Sequence, residues 1–277
     1  MNIYFYMFQT GEHYCRMISH LNFSMVDIMD DVIKFLKIQP EINQKLLAII
    51  GRNFQSSLKF WFEPEIAFAL KVNEQPTFVF AIKTPSDEFI RQVFNRDDKY
   101  QGTEFTINNL NLNSRIIKIS FIMVCDKITF KRPILNQNHN STIYDANQEI
   151  DSNEIDQMIK SFSNELSLSP IGSHQKSKEL FPRGSFILSE INSQVSGCVY
   201  VTNPENNVCR MTYLYVKPDY RRLGLAQLLV EAATKRAILD LSSKCILYVN
   251  LHNIPAKNIY ESFGYNVLDK YFIFYIL

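Results

Sequence analysis

One stretch near the C-terminal end, residues 209–227, constrains the fold most because it specifies a strand, a turn and a helix in succession. Met211 to Val216 is rich in β-branched and aromatic residues, which favour a buried strand. Pro218 ends that strand because it has no N–H to donate to a neighbouring strand. From Leu225 to Ile238, apolar residues recur mostly at steps of three and four, which predicts a helix.

The turn of this stretch, Arg221-Arg222-Leu223-Gly224-Leu225-Ala226, is a candidate site for phosphate or pyrophosphate. Gly224 and Ala226 allow a ligand to approach the backbone, and the free N–H groups of the new helix carry the positive end of its dipole. A nucleotide P-loop needs Lys-Ser/Thr, and a dinucleotide turn needs further glycines; both are absent. The remaining pattern is Arg/Gln-x-x-Gly-x-Gly/Ala after a strand, and the alternative is an ordinary basic turn.

A second stretch follows this helix and has a pattern of its own. Lys244 to Asn250 predicts another buried strand, and a helix is expected from about Ile254 to Phe263. Asn253 is a good N-cap residue, and Gly264 can supply a left-handed C-terminal cap. Asn253 and Tyr260 are seven positions apart, so they lie on one helix face at a separation of roughly 10 Å.

Together the two stretches resemble the GNAT superfamily of acyl-CoA-dependent N-acyltransferases. The pyrophosphate loop of that family is matched by Arg221, Gly224 and Ala226, and its second motif by Asn253, Ala256, Tyr260, Gly264 and Tyr265. The resemblance covers about half of the chain. The overall layout is also similar to bacterial two-domain acetyltransferases, whose N-terminal half carries a hairpin ending in Thr-Pro, as at Thr84-Pro85.

The resemblance implies specific roles. The backbone of Leu214 and Val216 is expected to pair with pantetheine, the loop N–H groups to hold the pyrophosphate, Asn253 to orient the pantetheine arm, and Tyr260 to act as general acid near the sulfur. The acyl-CoA-binding set is Leu214, Tyr215, Val216, Arg221, Arg222, Leu223, Gly224, Leu225, Ala226, Gln227 and Asn253. The alternative role for Tyr260 is that of an amphipathic core tyrosine.

The general base is not specified by the motifs. Some protein-acetylating members of the family carry a glutamate early in the strand before the loop, where this chain has Cys209 and Arg210. Glu165 and Glu190 are candidates, although each is more typical of an ordinary surface carboxylate. His252 is a weaker candidate, and a chain of water molecules is a further route.

Composition excludes several other classes. Lys and Arg number 29 and Asp and Glu 28, a net charge of +1, so no field of one sign favours nucleic acid or membrane. Five scattered cysteines without a Cys-x-x-Cys pair predict neither a metal site nor a disulfide framework. The N-terminus lacks the pattern of a signal peptide, and no apolar run is long enough to span a membrane, which favours a cytoplasmic location.

Two α/β domains are predicted: residues 1–135, interpreted as a candidate degenerate GNAT-like unit, and residues 136–277, the GNAT domain with a mixed, splayed sheet flanked by helices. The polar, turn-rich stretch 132–152 is the expected boundary. In the N-terminal half, Ile66–Val72 and Thr77–Lys83 predict a hairpin. Thr106–Asn113 is a candidate partner strand for the buried strand Ile116–Val124, although its asparagines favour a loop.

The predicted function is transfer of an acetyl group from acetyl-CoA to a primary amine by direct attack in a ternary complex. Cys198, Cys209 and Cys245 lie in apolar strands, which argues against an acyl-cysteine intermediate. The alternative is a non-catalytic acyl-CoA-binding or protein-interaction module that retains the cleft, and the missing strand glutamate favours it. The motifs leave the acceptor and the oligomeric state unspecified.

Overall fold

The structure is a computed structural model that describes residues 4–9, 12–17, 25–50, 58–72, 76–133, 141–166, 176–241 and 243–277. The chain divides into two compact units. The first comprises residues 1–122 together with 267–277, and the second comprises residues 123–266. Each unit contains a β-sheet with helices packed against it.

The elements follow one another along the chain in this order: β1 (Tyr4–Gln9), β2 (Glu12–Met17), α1 (Met25–Leu36), α2 (Pro40–Ile50), β3 (Leu58–Glu63), β4 (Ala67–Val72), β5 (Thr77–Ala81), α3 (Asp87–Val93), β6 (Tyr100–Thr103), α4 (Glu104–Leu110), β7 (Ser114–Cys125), β8 (Ser141–Asp145), α5 (Gln148–Glu165), α6 (Lys176–Leu180), β9 (Gly184–Ile191), β10 (Gln194–Thr202), β11 (Val208–Val216), α7 (Leu225–Lys235), β12 (Lys244–Asn250), α8 (Ile254–Ser262) and β13 (Asn266–Ile276).

In the first unit, the strands are ordered β2-β1-β3-β4-β5-β6-β13-β7. The pairs from β2 through β5 are antiparallel, β5 and β6 are parallel, and β6 and β13 are antiparallel. Phenylalanines fill the core on both faces of this sheet. One cluster joins α1 and α2 to Phe62, Phe68 and Phe80, and the other joins α3 and α4 to Tyr100 and Phe274.

In the second unit, the order is β12-β11-β10-β9-β8. Only β11 and β12 are parallel among these neighbours, and the other pairs are antiparallel. Helix α5 packs through Ile155, Met158 and Ile159 on the face that carries Cys198 and Tyr200. Helix α7 covers the opposite face, where its Leu229 lies against Gly197.

The same order of elements occurs twice. The segment from β2 to β7 and the segment from β8 to β13 both run strand, helix, helix, three strands, helix, strand, helix, strand. In each segment, the parallel pair joins the last of the three strands to the strand after the next helix.

Much of the predicted secondary structure is confirmed, including the hairpin of β4 and β5 and the strands and helices of the two motifs. The tight turn of the β9–β10 hairpin consists of Asn192 and Ser193, both with positive φ. One prediction is wrong. The segment 106–113 is not a partner strand, because most of it lies in α4, whose N-terminus is capped by the Thr103 side chain. The expected boundary, residues 132–152, contains the strand β8, which pairs antiparallel with β9.

The closing strand, β13, begins at Asn266 and pairs antiparallel with β6 of the first unit, although it follows the second unit in the chain. Its aromatic residues Phe272 and Phe274 are buried in the cluster around Tyr100. The pairing of β13 with β6 buries these two rings, and that burial favours the pairing although the strands lie far apart in the chain.

Candidate functional site

A gap opens between the parallel strands β11 and β12 of the second unit. Their residues pair at only three positions, Val208 with Lys244, Cys209 with Cys245 and Arg210 with Ile246. Beyond Arg210, β11 continues for six residues with β10 on one edge and no recorded pairing to β12 on the other. The backbone of Met211–Val216 therefore has an edge that can pair with an extended ligand.

A β-bulge lies in the middle of that free edge. Tyr213 has a φ of +53°, and the β10–β11 register shifts between the pairs Cys198–Tyr215 and Tyr200–Thr212. The ring of Tyr213 packs edge-on against Phe162 of α5, with ring centroids 5.6 Å apart. A bulge changes the direction of the backbone groups beside it, so the N–H and C=O groups around Leu214 differ in direction from those of a regular strand.

The turn after β11 leads directly to the exposed amides of α7. Arg222 and Gly224 are both left-handed, with φ of 65° and 77°. Gly224 occupies the N-cap position, so no side chain caps the helix. Its carbonyl oxygen accepts from Gln227 N and Leu228 N, at 3.0 and 3.2 Å. The N–H groups of Leu225 and Ala226 have no acceptor in the part of the chain that the structure describes, so this helix start can bind an anion.

Arg221 is held in a fixed orientation beside this turn. Its Nε donates to the carbonyl oxygen of Val216 at 2.9 Å, and its Nη2 donates to Glu165 Oε1 at 2.6 Å. Its guanidinium carbon lies 5.7 Å from the centroid of the Tyr215 ring. Glu165, one of the two candidate bases, is thus the ion-pair partner of Arg221.

Helix α5 holds the same turn at a second point. Glu154 forms an ion pair with Lys217, which follows β11 directly. Glu154 and Glu165 are eleven residues apart, which is close to three helical turns and places both on one helix face. Neither contact was predicted from the sequence, because the pairs join segments more than fifty residues apart.

The second motif forms the short helix α8. Asn253 caps this helix, with its Oδ1 accepting from Ala256 N at 3.3 Å, and its side chain is otherwise exposed. Tyr260 is only 7% exposed, and its ring lies 5.8 Å from that of Tyr265. Burial, with a smaller effect of Cys245, raises the pKa of Tyr260 well above its ordinary value. Its hydroxyl is therefore protonated at neutral pH, as a proton donor must be, and burial makes it a weaker acid than an exposed tyrosine.

The remaining candidates lie apart from this arrangement. Glu190 is half-buried on β9, paired with Val195 and Thr142. His252 is exposed after β12, where its N–H donates to Asn250 Oδ1. Among the described residues, no group of three or more His, Cys, Asp or Glu side chains is arranged to hold a metal ion.

The equivalent helix start in the first unit is closed to anions. The Ser86 side chain caps α3 by accepting from Phe89 N at 3.2 Å, and Asp87 and Glu88 occupy the first turn. The Ser86 N–H donates to Glu63, which is fully buried. A capped helix start with three carboxylates nearby repels phosphate, so of the two equivalent helix starts only that of α7 is arranged to accept an anion.

Both motifs lie in the region of the chain that matches a family model. The model is described as the acetyltransferase (GNAT) family, and it matches residues 153–265. This region is a GNAT acetyltransferase domain. It falls entirely within the second unit, and GNAT domains transfer acyl groups from acyl-CoA. No curated protein matches the sequence of the chain.

Solved structures resemble the GNAT domain and most of the chain around it. A tandem GNAT protein from the clavulanic acid biosynthesis pathway matches with a TM-score of 0.61 at 8% identity, over 98% of this chain and 97% of that one. A GNAT-family acetyltransferase from Colwellia psychrerythraea gives 0.59 at 10%, over 92% and 98%. A GCN5-related N-acetyltransferase from Kribbella flavida gives 0.53 at 13%, over 91% and 96%. These likenesses show the fold.

No helix among the described residues is both long and apolar enough to cross a membrane.

Proposed function

We propose that this chain transfers an acetyl group from acetyl-CoA to a primary amine by direct attack within a ternary complex. One observation carries the proposal: the uncapped start of α7, with left-handed Gly224, follows a strand whose outer edge is open to a ligand. Together they offer an anion site next to an extended backbone edge, which matches the diphosphate and the amide-bearing arm of coenzyme A.

Each part of the site has a proposed role. The turn from Leu223 to Gln227, with the free amides of Leu225 and Ala226 and the side chains of Arg221 and Arg222, binds the diphosphate. The backbone of Leu214 and Val216 pairs with the pantetheine amides, Tyr215 supports the Arg221 guanidinium, and Asn253 orients the arm. The neutral amine attacks the thioester carbonyl, and Tyr260 protonates the departing thiolate. The proton that the amine nitrogen loses passes through water and restores the Tyr260 hydroxyl.

The cysteines support direct attack rather than an acyl-enzyme. Burial raises the pKa of Cys198 and Cys245 to about 12, and that of Cys209 to about 11. The thiolate is the nucleophilic form, and at neutral pH its fraction at these sites is very small. A covalent acyl-cysteine step therefore has no activated thiol among these three.

The test combines binding with turnover. Calorimetry measures uptake of acetyl-CoA, and thiol release is followed with a panel of primary amines for wild type and Tyr260→Phe. General acids contribute roughly 10²- to 10⁴-fold, so we expect Tyr260→Phe to lower kcat by at least about 100-fold while acetyl-CoA affinity changes little.

Tyr265→Phe is the matched control. Tyr265 is equally buried beside Tyr260, and its hydroxyl shares a hydrogen bond with Thr234 at 2.9 Å. Its loss should cost about 1 kcal/mol of stability and leave kcat unchanged. Binding of acetyl-CoA without thiol release on any amine would favour the non-catalytic module, and absence of binding would refute both functions.

A further inference from the structure

Arg210 stands at the point where the gap begins. It forms the last recorded pair with β12, opposite Ile246, and the next residue of β11 is the first on the open edge. Arg210 and Val216 are six residues apart, which is roughly 20 Å of extended strand. Arg210 therefore lies at the end of the gap away from the α7 anion site.

The side chain of Arg210 faces the side of the sheet on which α5 packs. Tyr200 contacts the α5 cluster and pairs with Thr212. Residues two apart on a strand point to the same face, which places Arg210 with Thr212. The pairing with Ile246 places Tyr248 of β12 on this face as well, and the positive charge of Arg210 acts on the Tyr248 phenol.

This arginine has no counter-ion in the part of the chain that the structure describes. Its residue is half-buried, and its Nε is buried without a hydrogen-bond acceptor. Four of the five α5 carboxylates are engaged elsewhere: Glu154 with Lys217, Glu165 with Arg221, Asp151 with the Asn147 N–H and Asp156 with the Ser177 N–H. The fifth, Glu149, is exposed in the first turn of the helix. A partly buried, unpaired guanidinium is costly unless an anion joins it.

We propose that Arg210 binds a negatively charged group of the acceptor, so that the acceptor is an amine bearing a carboxylate or phosphate. This inference rests on the proposed function. The diphosphate of coenzyme A is assigned to the far end of the gap, and the pantetheine arm is uncharged, so an anion at Arg210 belongs to another molecule. A guanidinium binds carboxylate and phosphate through two parallel hydrogen bonds. A purely cationic polyamine is repelled at this position.

The experiment compares matched pairs of acceptors. The ω-amino acids 4-aminobutyrate and 6-aminohexanoate are each assayed against their primary amides, because distant substitution leaves the amine pKa nearly unchanged. An aminoalkyl phosphonate of similar length distinguishes phosphate from carboxylate. We expect wild type to prefer the anionic member by roughly 10- to 100-fold in kcat/KM, the range for a hydrogen bond to a charged group.

Three variants test whether the preference for the anionic acceptor depends on Arg210. Arg210→Met keeps the length and should abolish the preference, whereas Arg210→Lys keeps the charge and should retain part of it. Arg183→Met is the control, because Arg183 is an exposed arginine of the same unit. Equal use of acid and amide by wild type, or the same preference in Arg210→Met, overturns the inference and leaves the proposed function intact. A third result would also overturn it: a preference of wild type for succinyl-CoA over acetyl-CoA that is lost in Arg210→Met, because the anion would then belong to the acyl group.

A binding measurement covers the case in which no amine is acetylated. The melting temperature of the coenzyme A-saturated protein is measured with 6-aminohexanoate and with its amide. Stabilisation by the acid alone, lost in Arg210→Met, supports the anion site even if the proposed function fails. Equal effects of acid and amide, or none, refute the site.

Discussion

At the scale of single residues, the two motif positions require glycine for different structural reasons. Gly224 has a φ of 77°, and a Cβ there would meet only Gln227 Oε1, at 3.6 Å. Gly264 has a φ of 92°, and a Cβ there would lie 1.8 Å from the carbonyl oxygen of Thr129. The turn at Thr129 is fixed by the Asp126 carboxylate, which accepts from Ile128 N and Thr129 N. Gly264 is therefore required both by its left-handed backbone and by packing, whereas at Gly224 the described residues leave room for a Cβ and only the backbone is strained by one.

Replacing each glycine by alanine should separate these two effects. Gly224→Ala should lower the free energy of unfolding by about 1–2 kcal/mol, the cost of a left-handed alanine. Gly264→Ala adds a backbone clash and should cost clearly more, or prevent folding. Urea unfolding followed by circular dichroism measures both. Equal losses in the two variants would contradict this assignment.

Glu165 is expected to position Arg221 rather than to act as a base. Glu165→Gln should leave turnover within about three-fold of wild type and keep the shape of the pH–rate profile, because no proton passes through an ion-paired carboxylate at the edge of the loop. The pair is close to half exposed, so stability should change by less than about 1 kcal/mol. A turnover rate reduced by about two orders of magnitude, together with a lost acid limb, would make Glu165 the base.

At the scale of elements, the starts of α3 and α7 form a natural comparison. One is capped by Ser86 and flanked by acids, and the other is uncapped and flanked by arginines. Gly224→Asp should give the start of α7 an acidic side chain, as the start of α3 has. Aspartate tolerates a left-handed backbone, and its charge repels phosphate. We expect coenzyme A affinity to fall at least about 10-fold by calorimetry.

Ser86→Ala is the reciprocal control for this comparison. It should cost about 1 kcal/mol through the lost N-cap and leave coenzyme A affinity unchanged. An intact affinity in Gly224→Asp, or a weakened one in Ser86→Ala, would show that the anion does not bind at α7.

The elements of the site could be predicted because their signals are local. Pro218, Gly224, Asn253 and Gly264 mark the starts and ends of β11, α7 and α8, and the structure confirms those boundaries to within a few residues. The family resemblance predicts a splayed sheet, and the three-residue ladder between β11 and β12 agrees with it.

What the sequence missed depends on contacts between distant residues. The bulge at Tyr213 has no local signal, since tyrosine seldom adopts a positive φ. The ion pairs from α5 to the loop join residues far apart in the chain. The prediction of a strand at Thr106–Asn113 fails because the cap that starts α4, Thr103, lies before that segment.

At the scale of the whole molecule, the repeated order of elements supports the interpretation of the first unit as a decayed second copy of the fold. Its parallel pair, β5 and β6, is recorded at only two positions, Thr77 with Tyr100 and Phe78 with Gln101. The helix that follows β5 starts at Ser86, where phosphate is repelled. We propose that the first unit is such a copy, in which the order of elements is retained and the helix start no longer binds an anion.

Stability should fall steeply in alkali because several buried thiols are neutral in the folded chain. The pKa of Cys198 and Cys245 is raised from about 9 to about 12. A raised folded pKa means that this stability is fully present below about pH 9 and is lost as the pH rises toward 12. Each thiol contributes a slope of about 1.4 kcal/mol per pH unit in that window.

Urea unfolding between pH 8 and pH 11 measures this slope. Cys198→Ala should reduce the slope by the contribution of one thiol, about 1.4 kcal/mol per pH unit. This change in slope is expected whatever the variant does to the stability at pH 8. An unchanged slope in that variant would show that Cys198 does not titrate on unfolding.

Because β13 belongs to the first unit, the two units cannot be produced as separate fragments by a single cut in the chain. Phe272 and Phe274 belong to the core around Tyr100, so a fragment that ends at residue 135 lacks part of its hydrophobic core. The complementary fragment keeps β13 without the strand it pairs with, and its aromatic rings are exposed. Separate production of the N-terminal unit would call for grafting residues 267–277 onto it through a linker. Affinity tags are safer when they do not interrupt this final strand.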